Sequence, residues 1–170
     1  RTYITTANDN YDIRGLEQLA SHSEYRNAAS ITLSESNIET IPPLPNSIYR
    51  LDASFNSIHH LDQSMGAYRK LQYLNLRYNR ISNLKSIQHL IQLKELDVAG
   101  NQLVNCFDIA TLFNLEILDI SFNKIGSKRG FLSLPMNKKL RSVNIEGNPV
   151  ERRENSKDGL RLFFLNLLPQ

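Results

Sequence analysis

The segment Leu71-Gln72-Tyr73-Leu74-Asn75-Leu76-Arg77-Tyr78-Asn79-Arg80-Ile81 decides the fold, because its apolar residues and one asparagine recur at fixed spacing along the chain. The pattern L-x-x-L-x-L-x-x-N-x-L returns at Leu93, Leu96, Val98, Asn101, Leu103, then at Leu115, Leu118, Ile120, Asn123, Ile125 and at Leu140, Val143, Ile145, Asn148, Val150. Upstream, Ile48, Leu51, Ala53, Asn56, Ile58 keeps it, and Ala28, Ile31, Leu33, Ser36, Ile38 keeps it with serine in place of asparagine. Successive positions Ser36, Asn56, Asn79, Asn101, Asn123 and Asn148 are 20, 23, 22, 22 and 25 residues apart. A period of this size marks a solenoid, in which one turn cannot bury its apolar face alone and stacking supplies the core.

Within each turn the alternation around the central leucines predicts a short strand with every second side chain facing inward, six strands in all, lying parallel. The Ser36, Asn56, Asn79, Asn101, Asn123, Asn148 ladder is expected to be structural, because an amide offers donors and an acceptor to backbone groups orphaned where the chain leaves the strand. Leu84, Ile87, Leu90 and Leu93 fall every three residues, which predicts 3₁₀ turns on the opposite, convex side. Pro42, Pro43 and Pro45 predict an extended back for the shortest turn. The longest turn, with Gly126 to Gly130 and Pro135 to Lys139, is expected to bulge outward as a basic loop.

Solenoid ends need caps. Ile13, Leu16, Leu19 and Ala20, with Asp12 to start them, predict an N-terminal helical cap within residues 1–27. Leu160, Phe163, Phe164 and Leu167 follow i, i+3, i+4, i+7 and predict a C-terminal cap helix within 151–170, with Ser156 or Asp158 as N-cap and Pro169 as the stop. Residues 28–150 then hold the six turns.

These residues resemble the leucine-rich-repeat superfamily, and the 22-residue turns with apolar residues at threes are similar to its intracellular subclass, typified by a regulatory subunit of type-1 protein phosphatase. Gly147-Asn148-Pro149 followed by Leu160 to Gln170 resembles that subclass's C-terminal cap, shared with an axonemal dynein light chain, a spliceosomal ribonucleoprotein subunit and centrosomal or spindle-pole scaffolds. The turn Ile41 to Ile48 is similar to the shorter proline-bearing repeats of bacterial effector proteins. The resemblance implies an α/β solenoid that binds proteins on its concave face, as a scaffold or regulatory subunit in the cytoplasm, at the centrosome or cytoskeleton, or in the nucleus.

Composition bounds the function further. With 170 residues, 41% hydrophobic and 22% charged, the chain can bury one sizeable core. No apolar run approaches the roughly 18 residues of a membrane span, and no membrane partner is expected. One cysteine, Cys106, excludes an internal disulfide and suits a reducing compartment. The chain opens on Arg1 and ends after an apolar segment, so an excised, monomeric domain of a larger assembly is expected. His22, His59, His60 and His89 are scattered, Cys106 falls at a core position, and the glycines form no phosphate loop, so neither catalysis, metal nor cofactor is expected.

Binding is the remaining class. Flanking the inward leucines, three columns face the concave side: Ser30, Arg50, Tyr73, Glu95, Ile117, Ser142; Thr32, Asp52, Asn75, Asp97, Asp119, Asn144; and Ser34, Ser54, Arg77, Ala99, Ser121, Glu146. Phe55, Tyr78 and Phe122 precede ladder asparagines and edge this face. Arg50, Asp52, Tyr73, Asn75, Arg77, Tyr78, Glu95, Asp97, Asp119 and Phe122 are the candidate protein-binding residues, because aromatic and arginine side chains dominate interface energetics. Asp97 and Asp119 should repel unless Arg77 compensates them, with Arg50 serving Asp52. The alternative site is basic. Residues 124–170 hold 10 Lys and Arg against 4 Asp and Glu, while residues 1–123 hold 10 against 13. Lys128, Arg129, Lys138, Lys139, Arg141, Arg152 and Arg153 could therefore attract an acidic protein or nucleic acid. A structural or self-associating spacer is the third reading.

Overall fold

The computed structural model describes residues 3–5, 26–153 and 157–167. Seven three-residue strands form one parallel sheet in sequence order: β1 (Tyr3–Thr5), β2 (Ser30–Thr32), β3 (Arg50–Asp52), β4 (Tyr73–Asn75), β5 (Glu95–Asp97), β6 (Ile117–Asp119) and β7 (Ser142–Asn144). β2 to β7 are the six strands the repeat predicts. β1 pairs with β2, Tyr3 opposite Ser30, and so extends the sheet into the segment read from sequence as cap. The apolar stripe from Ile13 to Ala20 lies outside the described residues.

The register follows the repeat without slippage. Leu51, Leu74, Leu96 and Leu118 stand opposite one another, and all four are at most 2% exposed. Strict stacking is forced because a one-residue slip would turn every inward leucine to solvent. On the convex side, 3₁₀ turns occupy Gln63–Ala67, Lys85–Ile87, Phe107–Ile109, Lys128–Phe131 and Leu134–Met136. The proline turn is extended, with the Leu44 amide donating to the Tyr68 hydroxyl at 2.9 Å.

The longest turn does more than bulge. Phe131 and Leu134 are fully buried, and the Phe131 ring meets Phe164 edge-on at 5.1 Å. Its basic residues face out, and so do Leu132 and Met136 beside them. The C-terminal end is closed by α1 (Val150–Arg153) and α2 (Lys157–Leu167). Leu160 is buried, and Phe163, Phe164 and Leu167 pack against the core as their spacing predicts.

Each ladder asparagine ties its own turn to the one before it. Asn101 accepts the Ile81 amide at 2.9 Å and donates to the carbonyls of Leu76 at 2.9 Å and Val98 at 3.0 Å. Asn79 and Asn123 repeat this between their own neighbours, as do Asn56 and Asn148. Among the described residues the Ser36 hydroxyl donates to the Ser34 carbonyl, within its own turn, at 3.1 Å.

Candidate functional site

The concave face begins with a backbone device. In the central column from Asp52 onward the side-chain oxygen accepts the amide two residues on: Asp52 from Ser54, Asn75 from Arg77, Asp97 from Ala99, Asp119 from Ser121 and Asn144 from Glu146, at 2.9 to 3.1 Å. Asp and Asn thus perform one local task, holding the turn that leaves the strand. The sequence reading placed this column but not its bonding.

The residue after that turn is left-handed. Phe55, Tyr78 and Phe122 have φ of 53°, 50° and 52°, and Gly100 and Gly147 take the same slot at 67° and 73°. Bending there folds the chain over the third column, so Ser54, Ala99 and Ser121 are buried rather than presented to solvent. This corrects the third column: Arg77 and Glu146 reach out, but Ser54, Ala99 and Ser121 do not. The Ser54 and Ser121 hydroxyls instead donate to Asp52 and Asp119, at 2.6 and 2.5 Å.

From their left-handed slots the rings lean toward the next turn. Phe55 lies 4.9 Å from Tyr78, centroid to centroid. Tyr78 covers Gly100, where a β-carbon would stand 2.4 Å from the ring, and Phe122 covers Gly147 at the same 2.4 Å. All three rings stay 42 to 49% exposed. Gly100→Ala is therefore expected to displace the Tyr78 ring and destabilise the domain by about 1 to 2 kcal/mol, for a strained backbone and a lost contact. Gly66→Ala, whose β-carbon meets nothing closer than 3.5 Å, is the near-neutral control in the same thermal melts.

Between the rings and the sheet stand the charges. Asp97 and Asp119 are register partners on β5 and β6, and Arg77 lies between them, 3.5 Å from Asp97 and 3.7 Å from Asp119. The same guanidinium sits 5.0 Å from the Tyr78 ring centre. Asp119 is further held by Ser121 and by the Asn144 amide at 3.1 Å. Two residues past Asp97 stands Ala99, so the serine hydroxyl that Asp52 and Asp119 have is lacking at Asp97. Burial pushes its carboxyl above the ordinary carboxylate range, Asp119 adds to that, and the Ala99 amide and Arg77 only partly offset it.

A raised carboxylate pKa means that the folded state resists ionisation, so stability falls as pH rises through the folded-state value. Asp97→Asn keeps an acceptor for the Ala99 amide and removes that penalty. We expect it to melt at or above wild type at pH 7, with the difference shrinking as pH falls through the carboxylate range.

Arg50 does not serve Asp52. Its guanidinium lies 4.4 Å over the Tyr73 ring, and Tyr49 meets Tyr73 edge-on at 6.2 Å. Glu95, which precedes Leu96 on β5, lies next to Tyr73 in the register. The three concave columns carry five acids and two arginines, and both arginines are already engaged with the face itself.

The basic residues are dispersed. Lys128 and Arg129 are on a convex 3₁₀ turn, with Lys128 5.7 Å from the Phe163 ring centre. Lys138, Lys139 and Arg141 precede β7, where Lys139 donates to Asn114 at 2.7 Å and Arg141 pairs with Glu116 at 3.0 Å. Arg152 is exposed on α1, and the side chain of Arg153 lies outside the description. Cys106 is buried, its thiol donating to the Gly130 carbonyl at 3.1 Å, and burial pushes it up to about 11. Sequence reasoning missed Asn137, which is fully buried and donates to the carbonyls of Ile109 and Leu112. Among the described residues no three His, Cys, Asp or Glu side chains gather as a metal site, and no helix is long and apolar enough to cross a membrane.

A parallel ladder of short strands, 3₁₀ backs and buried asparagine rungs defines a leucine-rich-repeat solenoid. Profiles of the leucine-rich repeat match residues 46–103 and 111–128, so the chain carries leucine-rich repeats. It is 31% identical to mouse centrosomal protein of 72 kDa over 64% of this chain and 16% of that protein. It is 34% identical to a protein phosphatase 1 regulatory inhibitor subunit homologue of Arabidopsis thaliana over 51% of this chain and 28% of that one. The chain thus spans a minor part of either relative. Internalin C2 of Listeria monocytogenes superposes with a TM-score of 0.65 at 21% identity, covering 71% of this chain and 52% of its own. The fold is that of a protein-interaction module.

Proposed function

We propose that the concave face receives a basic, apolar-bearing peptide or helix of a partner protein, without catalysis. The observation that carries this reading is the Asp97 and Asp119 pair, held a strand spacing apart with the single guanidinium of Arg77 between them. A cationic side chain from a partner completes that neutralisation and favours ionised Asp97. The exposed rings of Phe55, Tyr78 and Phe122 alongside supply rigid apolar area with few rotors to freeze. A preformed arc loses little conformational entropy on docking, which suits a scaffold that positions other proteins. Relatives named as a centrosomal protein and as a phosphatase regulatory subunit support a role of this kind inside the cell, within a larger protein.

The test immobilises wild type beside Tyr78→Ala/Asp97→Lys and identifies by mass spectrometry what each retains from cell lysate. Circular dichroism and melting should confirm that the variant is folded. Proteins held by wild type and lost from the folded variant are the expected result. Equal retention overturns the concave site.

A further inference from the structure

The convex back of the last turns carries a surface that the concave reading leaves unused. Val104, Phe107, Phe113, Leu132 and Met136 are each more than half exposed. They lie on two neighbouring turns fastened to one another. Ser133 donates to the Cys106 carbonyl at 2.8 Å, one residue from Leu132 on one turn and from Phe107 on the other. Asn137 donates to the Leu112 carbonyl at 3.0 Å, one residue from Met136 on one turn and from Phe113 on the other. The Val104 carbonyl lies 3.2 Å from where a β-carbon on Gly130 would stand. Single exposed apolar residues are ordinary, but five on two adjacent turns form a patch of the kind that marks an interaction site.

The turn that carries Leu132 and Met136 has charge of one sign. Six Lys and Arg and no acid lie between Asp119 and Glu146. On the neighbouring turn Glu116 is paired with Arg141, and Asp108 is turned toward the preceding turn, where it accepts from the Leu84 amide and the Gln88 side chain. Arg129 and Lys138 are exposed on the same turn as Leu132 and Met136, with no acidic partner among the described residues.

We infer that this convex surface is a second docking site, for a polypeptide segment that presents acidic and aliphatic side chains together. Charge complementarity selects the acidic component, and the protruding aliphatic residues select the apolar one. Three of the five apolar residues are aliphatic and offer bases no stacking, which favours protein over nucleic acid. The patch also spreads across two turns of a curved back. The site is independent of the concave one, so either can fail alone.

Fluorescence anisotropy with three labelled synthetic peptides tests it: an amphipathic Glu/Leu peptide, the same peptide with Lys for Glu, and oligoglutamate. The Glu/Leu peptide should bind at least tenfold more tightly than either of the others. Arg129→Glu/Lys138→Glu and Leu132→Ser/Met136→Ser, all surface changes verified by melting, should each weaken it about tenfold. Tyr78→Ala/Asp97→Lys should leave it unchanged. Unchanged affinity in both convex variants overturns the site, as does Glu/Leu peptide binding no tighter than oligoglutamate. Binding of phosphatidylserine vesicles or of an RNA homopolymer, with no binding of the Glu/Leu peptide, overturns the choice of a polypeptide.

Discussion

Phe131→Ala is expected to cost about 3 to 5 kcal/mol, the range for emptying a fully buried phenylalanine site. Phe131 has no exposed surface and its ring sits edge-on to Phe164 of the cap helix α2. Deleting it opens a cavity just where the last turn, the convex 3₁₀ segment and the cap meet. The loss should not be uniform. Hydrogen exchange should rise first in Lys157–Leu167, which packs there through Phe163, Phe164 and Leu167, before the central strands respond. Urea melts give the total, and a destabilisation below about 1 kcal/mol would show that the cap collapses into the vacated space.

Asn101→Ala is expected to cost roughly 3 kcal/mol, because it strands the buried Ile81 amide and the Leu76 and Val98 carbonyls together, and each unsatisfied buried group costs about 1 to 3 kcal/mol. Asn101→Asp is the informative companion. It restores the acceptor for Ile81 but turns a carboxylate oxygen toward two carbonyls, so it should be no better than alanine at neutral pH and should recover as pH falls. Chemical denaturation across pH measures both. Equal stability of Asn101→Ala and wild type would contradict the rung.

The same Asn101 shows how much of the molecule was readable beforehand. Strand position, register and the ladder all follow from one spacing, since stacking leaves a leucine at L-x-L no inward direction but the core. The three columns were placed for the same reason. Their exposure was not, because the burial of Ser54, Ala99 and Ser121 depends on a left-handed bend that Phe, Tyr and Gly all adopt here. The pairing of Arg50 with Tyr73 instead of Asp52 was hidden likewise, since a long side chain chooses between neighbours that the column order makes equally near. Asn137 carries no motif. Its amide answers carbonyls 28 and 25 residues away, and only the irregular last turn brings it there. The convex patch escaped notice because its residues are apolar at positions where the repeat tolerates anything.

The central column has a consequence for how such a surface changes over time. Where a side-chain oxygen does the structural work, exchanging the remaining oxygen for an amino group, Asp to Asn or back, leaves the backbone bond in place. At Asp52, Asn75, Asp97, Asp119 and Asn144 a single nucleotide change can thus reset the charge of one row while the fold registers little. Selectivity for partners and durability of the scaffold are uncoupled at these five sites, and descendants of one arc can diverge in whom they bind without first becoming fragile.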